Sequence, residues 1–203
     1  MKIGIDFDNT IVNYDLLFFD VALKLGLIPS KLDKSKFAVK KYLHQVNKNN
    51  EWTLLQGLVY GEKMPGALIY EGFKNFVDFA SKEKVELCII SHKTLYPFLG
   101  KKFNLHKSAK SWIAENLNHN SEQFIDQENT FFEISQDLKV SRIKQQNCDY
   151  FIDDLPEIFE NENFPTQTTK LLFCPNTNPP IINYKVFQSW SLIKKFLQHE
   201  LRS

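Results

Sequence analysis

Apolar and polar positions along this 203-residue chain change their period several times, and the changes mark out strands and helices in alternation. A short apolar run, Ile3-Gly4-Ile5, stops at Asp6-Phe7-Asp8-Asn9-Thr10. Beyond it Leu16, Leu17, Phe18, Val21, Ala22 and Leu25 recur at helical spacing, and Gly26 closes the run. A polar stretch over 30–36 leads into a second helical pattern through Phe37, Val39, Tyr42, Leu43 and Val46. Residues 47–50 read as a loop, Trp52 to Tyr60 as a third helix ended by Gly61, and Pro65-Gly66 as a break. Residues 13–66 are therefore expected to form an all-helical insertion behind the first strand.

The remainder alternates strand and helix. An amphipathic helix is predicted from Tyr70 to Lys82, then a strand through Val85-Glu86-Leu87-Cys88-Ile89-Ile90 that stops at Ser91-His92-Lys93-Thr94. A helix over 107–117, an apolar run at Phe131-Phe132-Glu133-Ile134 and a helix from about Gln136 through Lys144 follow. Tyr150-Phe151-Ile152 is a strand ending in Asp153-Asp154. Lys170-Leu171-Leu172-Phe173-Cys174 reads as the last strand, broken by Pro175 and by Pro179-Pro180, and Trp190 to Leu201 as a closing helix. Apolar runs with little alternation suit strands covered on both faces, so the expected class is α/β with a mostly parallel sheet.

Composition narrows the function. Lys plus Arg number 25 and Asp plus Glu 24, so no bulk field draws the chain to nucleic acid or an anionic membrane. Three cysteines, Cys88, Cys148 and Cys174, stand far apart and mostly in apolar runs, which suits reduced, buried thiols and a cytoplasmic location. No apolar signal region and no 18-residue apolar stretch is present, so neither secretion nor membrane spanning is expected.

The candidate chemistry sits where strands end, since ligands of open parallel sheets bind outside the carboxyl ends of the strands. Asp6 and Asp8 would share a face if the first strand stayed regular, and Asn9 suits the turn away from it. Two like charges so near a core ask for a cation or a shared proton; the alternative is an ordinary surface turn carrying two acids. Ser91 and the pair Asp153-Asp154 end two further strands, and Lys139 opens the helix leading into the last of them.

Taken in order, Asp6-Phe7-Asp8-Asn9-Thr10, Ser91, Lys139 and Asp153-Asp154 resemble the four motifs of the haloacid-dehalogenase-like (HAD) hydrolases, with Asn9 where that family usually has Gly. The resemblance covers residues 1–12 and 68–160. It implies a Rossmann-like three-layer α/β/α core with a parallel sheet, built from 1–12 and 67–203, and a small helical cap over 13–66. It also implies a Mg²⁺-dependent phosphatase acting on a small phosphate monoester. Asp6 would be the nucleophile and a metal ligand. Asp8 would be the general acid and base and offer its carbonyl to the metal. An acid at that second position disfavours dehalogenation.

Ser91, Asn9, His92 and Lys139 would bind the phosphoryl group, with Lys144 the alternative lysine. Asp154 would touch the metal, with Asp153 behind it holding Lys139 or a metal-bound water. Cap residues Asn13, Tyr14, Phe18, Lys40, Lys41, Tyr42 and Trp52, and Thr94 beside the Ser91 motif, could reach substrate; for the aromatics packing is the competing role, and for the lysines a solvated face. The family resemblance favours a sugar, polyol or amino-alcohol phosphate, as in surface-polysaccharide synthesis. A 5'-nucleotidase, a phosphotransferase and a non-catalytic phospho-ligand-binding protein are the alternatives. A phospho-acceptor receiver domain and a nucleotide-sugar glycosyltransferase place their acids in a different order. Oligomeric state is not encoded in these motifs.

Overall fold

The computed structural model describes residues 1–119, 122–123, 125, 127–175 and 184–202, so Pro179-Pro180 lies outside the described residues. The chain divides into two compact units, one built from Met1–Ile11, Ile69–His92 and Leu117–Ser203, the other from Val12–Leu68 and Lys93–Asn116.

The first unit is organised by a parallel sheet. Its strands are β1 (Lys2–Ile5), β2 (Glu86–His92), β3 (Thr130–Glu133), β4 (Tyr150–Asp153), β5 (Thr169–Phe173) and β6 (Lys185–Phe187). Among the described residues they lie in the order β6-β5-β4-β1-β2-β3, and every neighbouring pair is parallel. The chain steps outward from β1 through β2 to β3, then crosses back to place β4 on the other side of β1. That reversal makes the gap between β1 and β4 the switch point of the sheet, the place where a parallel fold leaves a crevice. Helices α4 (Phe73–Lys82), α6 (Gln136–Gln145), α7 (Pro156–Phe159) and α8 (Trp190–Glu200) complete this unit.

Strand alternation sorts the core into two layers. Cys88, Ile90, Phe151 and Leu172 pack with Val140 and Ile143 of α6 and with Ile158 and Phe159 of α7. On the other side Trp190 of α8 gathers Phe73 and Phe76 of α4 and Phe173 of β5, with ring centroids 4.8, 4.9 and 5.5 Å away. The thiols of Cys88 and Cys148 meet at 3.9 Å, buried and unbridged; each other's company and burial hold the Cys88 thiol well above its ordinary pKa.

The second unit is helical: α1 (Asp15–Lys24), α2 (Lys36–Gln45), α3 (Asn49–Tyr60) and α5 (Leu105–Asn116). Ser35 caps α2, its hydroxyl accepting the Ala38 amide at 3.1 Å. Phe18 stacks on Trp52 with centroids 5.1 Å apart, and Tyr14 and Phe18 both meet the Tyr60 ring edge-on. Gly57 on α3 and Gly61 just beyond it let the stretch preceding α5 approach closely, for a Cβ there would come within 2.7 Å of Pro97 and 2.6 Å of Phe103.

Three expectations need correction. Helix α3 begins at Asn49, inside the expected loop, and α4 begins at Phe73 because Gly72, at φ 84°, turns the chain just before it. The strand at 169–173 is not the last: β6 pairs beside it, in register Val186 to Leu172. Three residues of mixed polarity at a sheet edge carry too little period to announce a strand.

Candidate active site

The register of the sheet dictates the centre of the site. Ile5 lies opposite Ile152, and the Asp6 amide continues the ladder by donating to the Ile152 carbonyl at 2.9 Å, so Asp6 and Asp153 leave adjacent strands side by side. Both follow the face already occupied by Gly4 and Phe151, the face covered by α6. From α6 the fully buried Lys139 extends its ammonium between them, 2.6 Å from Asp6 Oδ1 and 2.6 Å from Asp153 Oδ2. Burial opposes the Lys139 charge, yet Asp153 and Asp6 together hold its pKa above the ordinary lysine value. Burial also pushes the Asp153 carboxyl up to about 7, with Lys139 working against that rise and Asp6 adding to it. Asp153 is further fixed by the Leu155 amide, which donates to its Oδ1 at 3.0 Å.

Asp154 completes the acidic group. One carboxylate oxygen from each of Asp6, Asp153 and Asp154 lies within 4.8 Å of the other two. Three carboxylates against one lysine leave excess negative charge in a largely buried place, and hard oxygen donors in this number suit Mg²⁺. The residues present therefore fit a divalent metal. Thr10, the threonine that closes the first motif, spans the group: its hydroxyl lies 3.4 Å from Asp6 Oδ2 and 3.5 Å from Asp154 Oδ1. Asp8 and Asn9 are half-buried on the same turn, and Asn9 adopts the left-handed conformation at φ 60° that reverses the chain there.

Ser91 is buried near the end of β2, next to β1, with Phe132 as its partner on β3. His92 is exposed, and partial desolvation followed by the Lys139 charge lowers its pKa. Asp6, Asp8, Asn9, Ser91, His92, Lys139, Asp153 and Asp154 thus all belong to carboxyl ends of β1, β2 and β4 or to the helix that serves them. Lys144 does not join them: it is exposed and lines a surface groove with Asp137, Ser141 and Glu162.

In the helical unit Tyr14, Phe18 and Trp52 are buried in the aromatic core, Asn13, Tyr42 and Thr94 are half-buried, and Lys40 and Lys41 are exposed. Sequence reasoning missed Lys93, which is buried there with its ammonium 4.8 Å from the centre of the Tyr60 ring. Its place after His92 was the only available signal, and it says nothing of Tyr60.

No protein-family model and no curated protein matches the chain. Solved structures do. A HAD-superfamily hydrolase from Ehrlichia chaffeensis is similar over 98% of this chain and 97% of its own, with a TM-score of 0.59 and 15% identity. A HAD family hydrolase from Deinococcus radiodurans, solved with bound phosphate and sodium, covers 98% of this chain and 95% of its own, at a TM-score of 0.57 and 12% identity. A predicted phosphoglycolate phosphatase from Haemophilus somnus covers 97% of both chains, at 0.54 and 15%. With these likenesses running along nearly the whole chain and the acids gathered at the switch point of its sheet, this protein has the fold of the HAD-superfamily hydrolases.

Proposed function

We propose that this protein is a phosphatase that hydrolyses a small phosphate monoester through an aspartyl-phosphate on Asp6. The observation that carries the reading is the buried cluster of Asp6, Lys139 and Asp153 with Asp154 beside it, at the strand ends where this fold places its ligands. Asp6, Asp154 and the carbonyl of Asp8 would hold Mg²⁺, which when bound neutralises phosphoryl charge and so lowers the barrier to an anionic nucleophile.

The chain's own groups supply the rest. Lys139 aims Asp6, and its third N–H is directed to a phosphoryl oxygen. Asp6 attacks phosphorus, forming the acyl phosphate as the ester oxygen leaves. Asp8 protonates that leaving alkoxide, then takes a proton from the water that cleaves the acyl phosphate and frees Asp6. Ser91 donates to a phosphoryl oxygen, with the backbone at Asn9 and His92 contributing. Asp153 holds Lys139 rather than substrate, an assignment supported by the 2.6 Å ion pair.

The insertion over 13–66 serves as the cap that selects the leaving group, and a sugar, polyol or amino-alcohol phosphate is the favoured class. The unbridged thiols of Cys88, Cys148 and Cys174 support a cytoplasmic location.

Phosphate release from a panel of sugar, polyol, amino-alcohol and nucleotide monophosphates, with Mg²⁺ or with chelator, tests the reading. We expect Mg²⁺-dependent release that Asp6→Asn abolishes. Release that is unaffected by chelator or by Asp6→Asn overturns it.

A further inference from the structure

Trp190, the first residue of α8, lies 180 positions from the turn that carries Asp6 and Asp8, yet it is bonded to that turn. Ser189 caps the helix, its hydroxyl accepting the Leu192 amide at 3.3 Å, and so fixes where Trp190 leaves the backbone. The indole is fully buried among Phe73, Phe76 and Phe173. Gly72 makes room for it: at φ 84° the chain turns there, and a Cβ would come within 3.3 Å of the Trp190 Cβ. From this seat the indole N–H donates to the carbonyl of Thr10 at 3.0 Å.

Thr10 is the residue whose hydroxyl lies beside both Asp6 and Asp154. The next carbonyl, that of Ile11, accepts the Tyr70 amide at 2.9 Å, and the Ile11 amide closes the turn on the Phe7 carbonyl at 3.1 Å. A turn with Asn9 in the left-handed region holds its shape only while its neighbours are fixed. Without the indole N–H a buried carbonyl would lose its donor, and the turn would relax toward another partner.

We infer that Trp190 is a positioning residue whose indole N–H clamps the Thr10 carbonyl and thereby holds Asp6 and Asp8 in register with Asp154. The catalytic consequence rests on the phosphatase reading above; the clamp itself rests only on the hydrogen bond and the packing.

Two replacements remove the donor: Trp190→Phe, and benzothienylalanine at 190, which keeps the bicyclic shape and puts sulfur in place of N–H. Phe76→Leu disturbs the same aromatic group and leaves the bond in place. Hydrogen exchange at the Ile11 amide is followed in each protein, with kcat and KM for p-nitrophenyl phosphate. In both donor-less proteins we expect Ile11 exchange to rise about tenfold or more and kcat to fall roughly 10- to 100-fold with KM changed less than about twofold. Phe76→Leu should lower the melting temperature while keeping Ile11 protection and kcat. Unchanged Ile11 exchange in the benzothienyl protein, or equal losses in Phe76→Leu, overturns the clamp. If the wild-type protein releases no phosphate from any compound, the phosphatase reading fails, and the exchange comparison still decides whether Trp190 holds the turn.

Discussion

Two regions of this molecule gather aromatic or charged side chains away from solvent, and they do so by opposite rules. In the helical unit Phe18, Tyr14, Trp52 and Tyr60 are held by ring contacts, which are short-ranged, weakly directional and shared among several partners. At the strand ends of the sheet Lys139 is held by two carboxylates at 2.6 Å, each tied to its own strand. The first arrangement tolerates a change of shape, because neighbouring rings can move to refill space. The second does not tolerate a change of charge, because a buried ion that loses its partner keeps its full desolvation cost. The cost of a substitution is therefore spread among many contacts in the helical core and falls on a few atoms at the site.

The sharpest way to break this contrast is to remove the central cation. Lys139→Met leaves Asp6 and Asp153 facing each other in a buried place, and should cost about 3–5 kcal/mol of folding free energy as well as turnover. Chemical denaturation with and without Mg²⁺ checks it, and the metal should restore part of the loss. Asp6→Asn keeps shape and removes charge, so turnover should fall about 10³-fold or more with the fold retained; far-ultraviolet circular dichroism and phosphate release separate the two effects. Phe18→Leu in the helical unit should cost only about 1–2 kcal/mol and change kcat by less than about threefold. A loss of turnover there as large as that of Lys139→Met would erase the distinction between the regions.

The smallest expected effect comes from the opposite end of β4. Tyr150 begins the strand that Asp153 ends, and its hydroxyl donates to Glu200 at 3.0 Å near the surface. Desolvation, then Glu200, raises the tyrosine pKa to about 12. The folded value is above the unfolded one, so this contribution to stability is complete below the ordinary tyrosine range and is lost as pH rises through about 12. Glu200→Gln should lower the tyrosinate midpoint seen by ultraviolet absorbance and leave stability at neutral pH almost unchanged.

The same contrast explains what was legible in the sequence. Asp6 and Asp153-Asp154 stood out because an acid closing an apolar run is costly unless something answers it, and Lys139 was placed by its position before the strand it serves. The helices were announced by period, since Phe18, Val39, Leu55 and Trp112 fall on apolar faces. Period does not say what a face meets: Leu105, Ala109, Trp112 and Ile113 mark α5 as amphipathic, and nothing in their spacing assigns it to the unit containing α1, α2 and α3. The bond from Trp190 to Thr10 joins two residues of no shared motif, and the role of Lys93 depends on Tyr60, a partner 33 positions away on another helix. Contacts made by side chains distant in sequence are set by topology, and only the folded chain reveals them.

The central claim is that Asp6 carries the phosphoryl group. Quenching the enzyme in acid during turnover of a substrate taken from the phosphate-release panel, followed by mass spectrometry of its peptides, tests this most directly. The account predicts one added phosphoryl group on the peptide holding Asp6, absent in Asp6→Asn and, with p-nitrophenyl phosphate, whose leaving group needs no proton, increased when Asp8→Asn slows hydrolysis of the acyl phosphate. Turnover with no phosphoryl group on that peptide, or with one carried elsewhere on the chain, would contradict it.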